Sequence, residues 1–248
     1  MAHAAWKWMV VAVGVGVGVL ACSDDDEGGG GGGGDGGPIT FDAGVNRVRP
    51  GFGEDPGQPV GKTFVFPPGV ELAGVPYGAS DATKDCGNGV APIGTGPAVL
   101  VCVPLRNTTG GPVQLTFEPG LVVLNTAPSR IQNGMLIDRE PITVPPTGMG
   151  PGGVDAGSDG GSEEEVFLLP LHMYCLNEAR GPSEQGGTFE LGPVSSDPDI
   201  QELLRLIENK RIENEDDADV VQDALYSITE YNGLTDDDRK AIAALKNR

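Results

Sequence analysis

Ala98-Val99-Leu100-Val101-Cys102-Val103 is the run whose reading decides the fold of this chain. It is the strongest strand candidate in the sequence. Apolar residues stand on both of its faces, which predicts a central strand in a covered sheet. Before it, Thr63-Phe64-Val65-Phe66 is a short β-prone run stopped by Pro67-Pro68. Residues 69–96 are rich in Gly and Pro and predict irregular backbone with one short edge strand. After it, Asn107-Thr108-Thr109-Gly110-Gly111 is a turn cluster, also matching a glycosylation sequon and read here as turn chemistry. Val113-Gln114-Leu115-Thr116-Phe117 then alternates cleanly, so the two strands around the turn predict a hairpin.

Further strands are expected at Leu121-Val122-Val123-Leu124, Met135-Leu136-Ile137 and Pro141-Ile142-Thr143-Val144. Residues 148–162 read as a flexible insertion. Their carboxylates lack EF-hand spacing, so no calcium loop is expected. A second long apolar strand spans residues 166–176, where Pro170 requires a bulge or an edge. Thr188-Phe189-Glu190-Leu191 adds a last one. Short strands at turn-separated intervals predict a mainly β protein, an antiparallel immunoglobulin-like β-sandwich over residues 61–195. No tryptophan follows Trp8, so nothing plays the part of the Trp packed on a core disulfide in true immunoglobulin domains.

Residues 196–248 change to helical spacing and predict a small C-terminal helical subdomain. Asp197 can cap a first helix with Pro198 at its first position, burying Ile200, Leu203, Leu204 and Ile207. A second helix, from about Asp217 to Glu230, buries Val221, Ala224, Leu225 and Ile228, and Asn232-Gly233 ends it. Thr235 caps a third, with Lys246 and Arg248 in its last turn.

The formal net charge is −20. No basic run exists to hold a phosphate polyanion, so nucleic acid is not an expected partner. Residues 9–21 form an apolar run of only thirteen, with Gly and Val alternating. A spanning helix needs about 20 residues. With Lys7 before it, this predicts a cleaved secretory segment, residues 1–21. Val19-Leu20-Ala21-Cys22 resembles the lipobox of bacterial lipoproteins. That resemblance implies cleavage before Cys22, with diacylglycerol on its sulfur and a fatty acyl chain on its new amine. Membrane lipid is then a partner through the anchor. Ser23 in place of Asp after the cysteine implies the outer membrane, and the globular part is similar to uncharacterised envelope lipoproteins. Residues 22–60 read as an acidic, Gly-rich disordered tether. Its r.m.s. reach from Ser23 to Pro59 is on the order of 35 Å.

With Cys22 committed to lipid, Cys86, Cys102 and Cys175 remain in an oxidising setting, which allows one disulfide and one leftover thiol. An inter-sheet bridge of Cys102 with Cys175 and a local one of Cys86 with Cys102 both fit, and the sequence does not choose. No cofactor or metal is expected. His172 and Cys175 lie three apart on a strand and so on opposite faces, which does not make a nucleophile pair. One His and one Cys do not complete a zinc site. The expected function is therefore a binding or structural role toward a protein or glycan partner, with no catalytic activity. An envelope hydrolase is the weaker alternative.

One chemical lead remains. Tyr174-Cys175-Leu176-Asn177 and Val221-Gln222-Asp223-Ala224-Leu225-Tyr226 resemble the two short motifs of bacterial thioester domains of surface adhesins. In that family a cysteine thiol displaces ammonia from a glutamine side chain, and the resulting thioester captures an amine on a target. The resemblance implies Cys175 as the thiol, Gln222 as the acyl donor, and Tyr174 and Tyr226 as a shield from water. On a helical wheel, however, Gln222 lies about 120° from the centre of its helix's apolar face, a solvent-facing position.

Overall fold

The computed structural model describes residues 49–79, 86–87, 89–126, 131–147, 166–183 and 187–248. The apolar run, the lipobox with Cys22, most of the tether and the 148–162 insertion lie outside them.

The central run forms β4 (Val99–Asn107), and its antiparallel partner is β9 (Phe167–Cys175). Both are nine residues long, and seven register pairs run from Val99↔Met173 to Leu105↔Phe167. Pro170 sits opposite Cys102. The sheet extends through β7 (Gly134–Met135), β6 (Leu121–Asn125), β10 (Phe189–Ser195) and β1 (Gly61–Thr63) on one side. On the other side stand β2 (Val70–Leu72) and β3 (Tyr77–Gly78), each paired with β4. A separate ribbon pairs β5 (Val113–Phe117) with β8 (Glu140–Val144). The result is mainly antiparallel β, a curled eight-stranded sheet with a two-stranded ribbon, followed by three short helices.

The expected hairpin does not form: β5 leaves β4 and pairs with β8 instead. Asn107 is the physical reason. Its side chain is fully buried, and its amide nitrogen donates to the Gly111 and Val144 carbonyls while its oxygen accepts from the Thr109 N–H. These bonds take the chain off the sheet and lay it on the ribbon. They also spend the Asn107 side chain on turn geometry, in line with the reading of that sequon as a turn.

Strand alternation divides the apolar residues between two cores. One lies inside the curl, built from Val99, Val101, Val103, Leu105, Phe117, Leu121, Val123, Leu171, Met173 and Cys175. The other lies between the reverse face of β6, β7 and β9 and the helices, through Val122, Leu124, Met135, Tyr174 and Leu176. The helices are α1 (Pro198–Ile207), α2 (Glu215–Thr229) and α3 (Asp236–Ala244). Asp197 caps α1 and Thr235 caps α3 within a reciprocal capping box with Asp238, as their positions predict. Gly233, at φ +116°, donates its N–H to the Ser227 carbonyl beyond the end of α2. The third helix ends before Lys246 and Arg248, which instead pair with Glu213 and Asp138.

Residues 49–60, expected as the end of the tether, belong to the folded body. Phe52 is buried in the helix-side core, and Arg49 pairs with Asp197 and Asp199 at the start of α1. Between them, Phe52 and Arg49 give this segment the buried apolar and charge contacts that a disordered spacer lacks.

Candidate functional site

Cysteine usage resolves first. Cys86 and Cys102 form the disulfide, across a sequence separation of 16, and Cys175 remains a buried free thiol. The inter-sheet alternative fails on strand parity. Cys102 points to the outer face with Leu100 and Ala79, whereas Cys175 points inside the curl. His172 pairs with Leu100, an even register away from Cys102, so it also faces outward and away from the Cys175 thiol.

Cys175 is the last residue of β9, and its backbone is unusual in its pairing. Its partner on β7 is Gly134, and the next N–H, of Leu176, donates to the Asn133 carbonyl at 3.1 Å. In antiparallel geometry that makes Cys175↔Gly134 a non-hydrogen-bonded pair, so the N–H and C=O of Cys175 point away from β7. They point to the side of β4, whose register with β9 ended two residues earlier at Met173. Two buried backbone groups are therefore left without a ladder partner, a cost of about 1–3 kcal/mol each if unmet.

Gln222 meets both. The Cys175 N–H donates to Gln222 Oε1 at 2.8 Å, and Gln222 Nε2 donates to the Cys175 carbonyl at 3.0 Å. A side-chain amide on α2 thus takes the place of a strand residue. This overturns the solvent-facing position expected from the wheel: Gln222 is only 8 % exposed. The buried arc of α2 is wider than its apolar stripe, because the helix lies against the end of β9 as well as against the other helices. Cys175 and Gln222 are the two residues that the resemblance to thioester domains implies, and the fold brings them together from 47 positions apart.

The two tyrosines fare differently. Tyr174 precedes Cys175 on the strand and so faces the opposite core, where its hydroxyl bonds Thr95 at 3.0 Å. It does not shield the thiol. Tyr226 does: its ring packs against the core inside the curl, the side to which the Cys175 thiol points. Burial pushes the Cys175 thiol up to about 11, the Tyr226 hydroxyl opposing the shift. Burial, followed by the neighbouring cysteine, also raises Tyr226, so both groups hold their protons near neutral pH.

A set of buried amides steadies the strand end, and the sequence offered no periodic signal for it. Asn177 Oδ1 accepts from the Asn133 N–H at 2.8 Å, and Asn133 Oδ1 accepts from the Asn125 N–H at 2.9 Å. Asn177 and Asn133 also donate to the carbonyls of Gly53 and Gly51, which fastens the 49–55 segment over Leu176. Gly53 is needed there. Its φ is +57°, and a Cβ would lie 2.6 Å from the Thr229 carbonyl.

An open groove of about 960 Å³ lies elsewhere, with Lys62, Phe64, Glu118, Arg139, Arg205 and Arg248 among its lining residues. Cys175, Gln222 and His172 are not among them. No group of three or more His, Cys, Asp or Glu side chains among the described residues could hold a metal ion. No protein-family model, no curated protein and no solved structure matches the chain.

Proposed function

We propose that the chain is a lipid-anchored envelope protein whose domain binds its partner covalently, through a thioester between Cys175 and Gln222. The observation that carries this reading is the 2.8 Å hydrogen bond from the Cys175 N–H to Gln222 Oε1. It holds the Gln222 acyl carbon beside the residue that carries the thiol. It also aims a donor at the oxygen that becomes negative when sulfur adds to that carbon, the arrangement of an oxyanion hole. The step balances within the protein. A bond forms between Sγ and the Gln222 carbonyl carbon, the carbon–nitrogen bond breaks, and the thiol proton leaves with the nitrogen as ammonia. Burial of both residues keeps water from the product.

In the same reading, the sheet and ribbon are the layers of an immunoglobulin-like sandwich. The core enclosed between the curled sheet and the β5–β8 strands supports this. The partner is a protein or glycan surface bearing a primary amine. The lipid on Cys22 supplies the attachment at the outer membrane.

Intact mass of the purified mature chain tests the thioester. The wild type is expected to fall short of its sequence mass by ammonia, about 17 Da, and to add methylamine. Gln222→Ala is expected to show neither. A folded wild type at full sequence mass, inert to methylamine, overturns the reading. It would leave Gln222 as a cap on the end of β9 and the domain as a non-covalent binding module.

A further inference from the structure

We propose that the open edge of β1 and the groove beside it bind an extended acidic peptide segment of a partner protein, which joins the sheet as an added strand. The proposal is independent of the thioester, since the groove contains neither Cys175 nor Gln222. β1 is the last strand on its side of the sheet, paired with β10 alone. The Ser196 N–H donates to the Val60 carbonyl at 3.0 Å, and the register continues through Lys62↔Val194 and Thr63↔Pro193. Hydrogen-bonded pairs alternate along an antiparallel ladder, so Lys62 commits its N–H and C=O to β10 while Thr63 turns both of its own outward. No strand or turn among the described residues takes them.

The surface around that edge invites a further strand. Edges are normally kept from pairing by charge, proline or cover. Within β1 only Lys62 serves that purpose, and Val60 and Val65 flank the strand at 65 % and 75 % exposure. Residues 62–65 all line the groove of about 960 Å³, and since strand side chains alternate, its wall there includes main chain. The floor is apolar. A Cβ on Gly120 would meet Leu204 at 3.1 Å and Val194 at 3.8 Å, which sets α1 and β10 side by side beneath the groove. Lys62 stands directly opposite Val194, so its side chain shares that face.

Charge decides the class of segment. The chain has 16 Lys and Arg against 36 Asp and Glu, yet four of those cations line this groove. Two are already engaged: Arg139 holds Glu118 and Arg248 holds Asp138, both acids lining it too. Lys62 and Arg205 have no acidic partner among the described residues, and Glu208 is the one lining acid without a basic one. The groove therefore carries one cation in excess on a strongly acidic protein. A carboxylate opposite Lys62 answers that excess, and apolar side chains two residues to either side of it reach the floor on the same face. The segment that fits is extended, reads apolar-x-acidic-x-apolar, and bonds through its main chain to Thr63. A second copy of β1 in register would set Lys62 against Lys62, like charge on like charge, and does not fit.

The test titrates the purified mature chain with two end-blocked heptapeptides, Thr-Val-Thr-Glu-Thr-Val-Thr and its counterpart with Lys for Glu, and follows backbone amide shifts by NMR. The Glu peptide is expected to move the Thr63 N–H downfield, to slow its exchange with solvent, and to bind on the order of tenfold more tightly than the Lys peptide. Thr63→Pro removes the outward N–H and leaves the ladder to β10, in which that N–H takes no part. It is expected to melt with the wild type and to lose the peptide. If it melts early, Lys62→Glu carries the test, with an expected reversal of the preference between the two peptides. A Glu peptide that leaves Thr63 unmoved at about 1 mM overturns the site. A folded Thr63→Pro variant that binds like the wild type overturns strand addition, and equal binding of the two peptides overturns the acidic partner. Thr63 shifts that follow protein concentration without peptide place a second copy on the edge and overturn the partner segment. None of these readings uses the mass deficit that tests the thioester.

Discussion

A single carboxylate shows how burial acts in this molecule. Glu140 accepts from the Gly94 N–H at 3.1 Å beside Asp138. Burial first, and the Asp138 charge second, raise its carboxyl above the ordinary 4.5, with the Gly94 bond and Arg248 opposing. A group raised on folding favours the native state fully below its unfolded value, and that contribution is lost as pH rises through the folded value. The ionised form is therefore a burden at neutral pH. Glu140→Gln keeps an acceptor for Gly94 and removes the charge. Its Tm is expected to exceed that of the wild type at pH 7. The difference should shrink toward zero below about pH 4.5, where both side chains are neutral. A stabilisation that persists unchanged into acid would show that packing rather than ionisation sets it. The same desolvation acts on Cys175, where it keeps the thiol protonated near neutral pH.

At the level of elements, β4 is held by more than its ladder. Its outer face carries only a small apolar cluster of Ala79, Leu100 and Cys102, against which Tyr77 and Cys86 pack. The Cys86–Cys102 bridge ties that cover to the central strand. Closing a loop of this size stabilises a fold by about 3 kcal/mol on the chain-entropy account. Replacing both cysteines by serine is expected to lower the unfolding free energy by about that amount in a denaturant titration, without changing the reactivity of Cys175. A variant as stable as the wild type would mean that the cover holds β4 without the bridge. Most elements were legible because periodicity and caps are local signals: the alternation in β5, the double-faced run in β4, and Asp197 and Thr235 at their helix starts. Pairing was not. Whether β5 folds back on β4 or crosses to β8 depends on the buried Asn107 amide, and no pattern within the strand reports it. The site was half legible for the same reason. The motifs name Cys175 and Gln222, but the wheel misplaces Gln222. A wheel knows only the apolar stripe of α2 and not that β9 ends beside it.

The whole molecule joins two cores through one sheet, so each core has the other as its support. Val123 and Cys175 face the inside of the curl, while Val122, Tyr174 and Leu176 face the helices. Gln222 crosses from the helical side to the strand end and links the two by hydrogen bonds. The thioester would make that link covalent. In the proposed reading, the chain ahead of Arg49 delivers this body to a surface. No helix among the described residues is long and apolar enough to cross a membrane. The proposed attachment is Cys22, on the resemblance of Val19-Leu20-Ala21-Cys22 to a lipobox, and two or more acyl chains there would give stable anchoring where a single chain does not. Cys22→Ala is expected to abolish fatty-acid labelling of the protein and to remove it from the outer-membrane fraction. Labelling and fractionation identical to the wild type would overturn the anchor, and with it the placement of the domain at a surface. The reactivity of Cys175, measured on the purified domain, would stand or fall separately.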